Sequence, residues 1–403
     1  MSSGDTAWLL VCSALVLLMT PGLALFYGGM VRKKNVLSTF MHSFTAIPVI
    51  TVLWVVCGYS LAFGKSHGGL IGGFELAGLN GVFGQSFQTV PLFAFVAFQM
   101  MFAIITPALI SGAFAERMSF AAYMLFIVLW SLLVYVPVCH WVWSPDGWLA
   151  KMHALDFAGG TVVHMTAGAS AFVSCLVIGK RLKYPQERPL PHNLTMTLTG
   201  AGILWFGWFG FNAGSALGAS PLAALSFVTT HLGASGGALG WLFIEWRHRG
   251  KPTALGVASG LVAGLVAITP AAGFVSPLSA IAIGFLASIA CYFAVLAKYK
   301  YGYDDSLDAF GVHGVGGFVG AILTGVFADQ ALNPDAGQNG LLHGNPKQLG
   351  VQALACGVTI GYAALLTYVL LKVIGRFLPL RVQQSDEREG LDTTQHGEDA
   401  YAG

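Results

Sequence analysis

The sequence predicts an all-α polytopic membrane protein of eleven transmembrane helices, arranged as two inverted five-helix repeats plus one extra helix. Its N-terminus is expected outside and its C-terminus in the cytoplasm. Of 403 residues, 55% are hydrophobic and only 9% charged, and mean hydropathy is +0.70, a composition foreign to soluble domains. The charges leave eleven apolar stretches near the roughly 20 residues that a helix needs to cross a bilayer. Of the 20 Lys and Arg, only Lys65, Lys151 and Lys347 follow even-numbered stretches, and the other 17 follow odd-numbered ones. Such a bias marks the cytoplasmic side and requires an odd number of crossings.

The first stretch, 6–31, has no Lys or Arg ahead of it and is too long for a typical signal core, so it is expected to be retained. Arg32, Lys33 and Lys34 close it. The next two, 39–64 and 90–115, contain Pro48 and Pro107, which imply kinks or local breaks that membrane helices tolerate where neighbours satisfy the freed carbonyls. Stretches 118–140 and 161–179 complete repeat one, about 6–179. Repeat two, about 193–329, holds 193–216, 222–246, 253–272 (with Pro270), 275–297 and 307–329. Gly256, Gly260 and Gly264, and Gly236 with Gly240, form small-residue ridges suited to close helix packing. The eleventh helix, 349–375, completes a transmembrane domain of 1–378. A cytoplasmic tail, 379–403, reads by composition as solvated and partly disordered.

Several classes are disfavoured. The six cysteines lie in or at the ends of apolar stretches with no Cys-x-x-Cys pair, so packing is expected, with no disulfide frame and no metal site. A net charge of +2 implies no nucleic-acid partner. No phosphate-binding loop, potassium-type filter or basic helical ladder is present, which argues against an ATP-driven pump or a voltage-gated channel. No cofactor and no enzymatic activity are expected.

His164 and His313 each follow an aspartate by eight residues, Asp156 and Asp305. Eight helical residues rise about 12 Å, so histidines entering from opposite faces of a core about 30 Å thick meet near its midplane. Ionisable groups within spans usually face a path or cavity, and two adjacent imidazoles can share or pass a proton. The plainer alternative is a packing histidine bonded to a carbonyl; for His231, with no such aspartate, packing is the default. Asp156 precedes a turn and suits helix capping, although a carboxylate there also attracts cations. Phe98 and Phe102 lie four apart, as do Phe211 and Ser215, while Trp141, Trp143 and Trp148 follow the fourth stretch. Each tryptophan alone reads as an interface anchor, but aromatic faces beside a hydroxyl also suit a small, weakly hydrated cation.

The segments PGLALFYGGMVRKKNVL (21–37), AERM (115–118), LDFAGGTVVHMTAG (155–168), WFGFNAGSALG (208–218), DDSLDAFGVHGVGG (304–317) and GLDTTQHGEDAY (390–401) resemble the ammonium transporter, methylammonium permease and Rhesus superfamily. The bacterial or archaeal type is the nearest match. The resemblance implies a transporter in the plasma or inner membrane, among membrane lipid, that takes ammonium or ammonia, with methylammonium as an analogue. It implies His164 and His313 as the pore histidines, Asp156 as a structural or recruitment aspartate, and Phe102, Trp143 and Ser215 as the external ammonium site. Phe98 with Phe102, or Phe102 with Phe211, would form a phenyl gate; Trp208 and Thr269 match pore-adjacent positions. Trp143 is chosen over Trp141 because it fills the tryptophan of the family's His-x-Val-Trp pattern, here HWVW (140–143), although SPDG after it departs from the more glycine-rich family loop. The tail pattern implies ordered contacts on the cytoplasmic face, a homotrimer and a PII-type signal protein as a partner. The competing expectations are an ammonium sensor on the same scaffold and a Rhesus-like neutral gas channel.

Overall fold

The computed structural model describes residues 1–187 and 190–401. Among these, ten helices are long and apolar enough to cross a membrane: α1 (Ser3–Met30), α2 (Lys33–Phe63), α3 (Leu92–Phe114), α4 (Phe120–Lys151, interrupted after Trp143), α5 (Gly160–Ile178), α6 (Leu194–Gly214), α7 (Pro221–Arg249), α9 (Pro277–Tyr301), α10 (Phe310–Phe327) and α11 (Pro346–Ile374). The stretch expected at 253–272 instead gives a shorter helix, α8 (Ala254–Ile268). Its 15 residues rise about 22 Å, short of a bilayer core. Pro270, which lacks an amide hydrogen, follows closely, and the chain continues as buried turns from Thr269 to Val275. Irregular backbone of this kind survives in an apolar bundle only where protein surrounds it, and here the Pro270 carbonyl accepts from Phe157 N–H at 3.1 Å.

The glycine ridges are packing surfaces. A Cβ on Gly264 would lie 2.3 Å from the Gly233 carbonyl, and one on Gly240 2.6 Å from that of Phe285, so α7 approaches α8 and α9 at backbone distance. The all-α expectation needs one amendment. Between α2 and α3 the chain makes two small antiparallel hairpins, β1 (Ser66–His67) with β2 (Ile71–Gly72) and β3 (Ser86–Phe87) with β4 (Val90–Pro91). Gly68 and Gly69, both at positive φ, make the first reversal possible.

The tail is ordered through Tyr401, contrary to its composition. After a short helix, α12 (Gln384–Glu389), Asp392 accepts from the Ser38 amide at 2.8 Å near the start of α2. The Leu391 amide donates to Asn35 at 2.8 Å, and Glu387 accepts from the Leu182 amide at 2.6 Å. Next to this docking site, Arg181 binds Asp304 at 2.7 Å and Glu116 at 3.1 Å, with Arg32 3.0 Å from the other Glu116 oxygen. Burial opposes ionisation of both carboxyls, but Arg181, with Arg32 beside Glu116, outweighs it and holds them below the usual carboxylate range.

Candidate functional site: a paired-histidine cavity

Two local motifs in equivalent registers build the site. Asp156 accepts four backbone N–H groups, from Gly159, Gly160, Thr161 and Val162, at 2.6–3.0 Å. These are donors that the start of α5 leaves without helical partners. Asp305 accepts from Ala309 and Phe310 at 3.0 and 2.8 Å and starts α10 in the same way. Each helix then opens with a wide π turn, Gly160–Met165 and Phe310–Gly314, and each turn carries one of the histidines. Single π turns inside α-helices often mark functional positions, because the extra residue redirects a side chain.

The two imidazoles meet. Their Nδ1 atoms are 3.3 Å apart, and the rings stack with centroids 5.3 Å apart at 16°. One nitrogen must therefore carry the shared hydrogen while the other accepts it. Both residues are buried, and His164 Nε2 has no protein partner. The helices can come this close because Gly168 of α5 faces Gly314 of α10, where a Cβ on Gly168 would sit 2.1 Å from the Gly314 Cα.

Beside the pair lies a narrow cavity of about 10 Å³, room for about one water-sized molecule, whose other lining residues are apolar or aromatic, among them Leu23, Ile105, Leu109, Leu204, Val262, Trp208 and Phe211. Trp208 stacks on His164 at 5.3 Å and is itself held by donating to Thr269 Oγ1 at 2.8 Å. Thr269 thus orients the wall and is not part of the lining. The Phe211 ring centroid is 5.9 Å from His164 and 4.3 Å from Phe102, and Trp143 lies edge-on to Phe102 at 5.5 Å. Trp143 in turn donates to the Asp156 carbonyl at 2.9 Å, tying the end of the column to the α5 turn.

Phe98 also touches Phe102, at 4.9 Å, but packs against Gly214 and does not line the cavity. Of the two phenylalanine pairs, only Phe102 with Phe211 stands in line with the histidines. Ser215 donates to the Phe211 carbonyl at 2.9 Å, which leaves its oxygen free to accept. With Asp156 it faces an open vestibule of about 460 Å³. His231 stacks on Trp205 at 5.2 Å on an exposed helix face and takes no part in the cavity. Sequence reasoning missed the aliphatic lining, since a Leu or Val facing a cavity is indistinguishable in sequence from one facing lipid.

The Ammonium Transporter Family model matches residues 7–401. The chain is similar to the ammonium transporter of Bacillus subtilis (strain 168), with 50% identity over 100% of this chain and 99% of that one. Among solved structures it resembles Saccharomyces cerevisiae Mep2, with a TM-score of 0.89 and 38% identity over 95% of this chain and 88% of the other. It also resembles a protein described as a sensor Amt protein, with a TM-score of 0.90 and 29% identity over 98% of each chain.

Proposed function

The chain belongs to the ammonium transporter family, and from that premise we propose that it receives ammonium at Phe102, Trp143 and Ser215, where the ion gives up a proton to outer water or to a relay along the histidines, and that ammonia passes along the apolar cavity. The observation that carries this reading is the histidine pair within an otherwise apolar lining. A desolvated ammonium ion in such a bore is heavily penalised, whereas ammonia is small and neutral. The aromatic faces favour the cation at the mouth, and the Ser215 oxygen supplies an acceptor for one of its hydrogens. Phe102 and Phe211 close the mouth between turnovers. The orphan Nε2 of His164 is the group that meets the passing molecule.

The same reading takes eleven crossings, with α8 and the buried turn after it as the eighth, and two inverted repeats related through the Asp156 and Asp305 turns. It puts the Trp143 end outside and the docked tail (379–403) in the cytoplasm of a plasma or inner membrane, with 1–378 as the transport unit. The protein works as a homotrimer without enzymatic activity, and a PII-type protein meets its tail face.

The test is an ammonium pulse on proteoliposomes with current and uptake read together. Uptake with current supports proton transfer along the histidines; uptake without current rules that step out and leaves a neutral gas channel. Replacing His164 by Leu should remove current or ion selectivity, and an unchanged variant would remove its assigned role. A sensor on this scaffold, favoured by the similarity to the sensor Amt protein, would bind ammonium without uptake.

A further inference from the structure

The two turns differ at a position where the Asp305 turn carries a residue that its backbone geometry does not favour. Three residues after Asp156 comes Gly159, with φ +112°; three after Asp305 comes Asp308, with φ +63°. Glycine is the ordinary occupant of that left-handed region, and an aspartate held there needs compensation from its surroundings. Its carboxylate supplies the reason. It pairs with the ammonium group of Lys298, a buried residue near the end of α9, and that same group donates to the Asp305 carbonyl at 3.0 Å. The Tyr299 ring centroid lies 5.4 Å from it.

This arrangement has the acceptors of an ammonium site: a carboxylate oxygen, a carbonyl oxygen and an aromatic face around one protonated nitrogen. The ligand's own functional group is already in place, tethered by four methylenes. Asp308 and Tyr299 also line an open cavity of about 330 Å³ at the tail end of the bundle. Val295, another lining residue, packs against Gly311 in the turn that carries His313.

We infer that Asp305, Asp308 and Tyr299 form a second ammonium site, at the inner mouth, that Lys298 keeps filled with its own ammonium group. Resting on the reading that ammonia leaves by this end, the arrangement prevents product that has regained a proton from being held there. Lys298 thereby makes the inner mouth a place of release, unlike the open, aromatic outer one.

The experiment compares thermal unfolding of the full-length protein in detergent, in ammonium chloride against sodium chloride at equal ionic strength. Lys298→Ala should gain a saturable rise of about 3–5 °C at a hundredfold excess of ammonium over its dissociation constant. Lys298→Ala/Asp308→Ala should lose that gain. If Lys298→Ala is too unstable to isolate without ammonium, ammonium in the purification buffer should rescue it. No ammonium-specific gain over the double variant, or no folded protein in either buffer, overturns the inference. Any shift shared by wild type and the double variant comes from the outer site, so it reports separately on the proposed function.

Discussion

At Asp156 one carboxylate takes four backbone N–H groups, whereas at Asp305 the equivalent carboxylate takes two and a lysine ammonium sits against its carbonyl. The two turns share register, left-handed third residue, π turn and histidine, so the scaffold is common to both. What differs is how each end is finished. At the Asp156 end the carboxylate is satisfied by its own backbone and the carbonyl by the neutral Trp143 indole, and the open vestibule carries the Ser215 oxygen. The Asp305 end recruits a charged side chain from α9. One motif thus serves two different mouths, and its asymmetry lies in side chains added to a repeated backbone.

The largest effect is expected where the most bonds converge. Asp156→Ala strands four buried amides, each costing about 1–3 kcal/mol when left without a partner, so a loss of about 4 kcal/mol or more is expected. Asp305→Ala strands two and should lose about half as much. Unfolding temperatures of the two variants give the ratio directly; equal losses would mean that the count of bonded amides does not set the difference. Gly159→Ala comes next. At φ +112°, with a Cβ placed 2.6 Å from Val163 Cγ2, it should destabilise by about 1–3 kcal/mol and disturb the turn that aims His164. Uptake falling with stability unchanged would separate aim from strain.

Much of this comparison was legible in the residues. The repeated Asp-to-His interval of eight pointed to two histidines at one depth, and the rings do meet. The interval could not show the π turns, which leave no periodicity of their own; within them Gly160 and Gly311 lie close against Pro270 and Val295. The aromatic column was readable as residue types, but Phe98 and Phe211 are equally plausible partners for Phe102 until helix rotation decides between them. Composition misled at the tail, where acidic residues counted as solvated accept from the distant Ser38 and Leu182 amides, and Glu387 also pairs with the tail's own Arg381. Asp308 and Lys298 drew no attention either. A left-handed φ is invisible in sequence unless the residue is glycine.

The smallest effect sharpens the comparison most, because it isolates the backbone from the charge. Asp308→Ala and Asp308→Gly both delete the carboxylate and both leave Lys298 without it, so their common loss cancels between them. What remains is the fit of each residue to φ +63°, where alanine retains a Cβ that crowds the left-handed conformation and glycine does not. The glycine variant, which restores the residue found at the matching position of the Asp156 turn, should be the more stable by about 1 kcal/mol. Unfolding temperatures differing by about 1–2 °C in that order would show that Asp308 is kept against its backbone preference for its carboxylate. Equal stabilities would mean that the turn relaxes at no cost, and the two ends would then differ in charge alone.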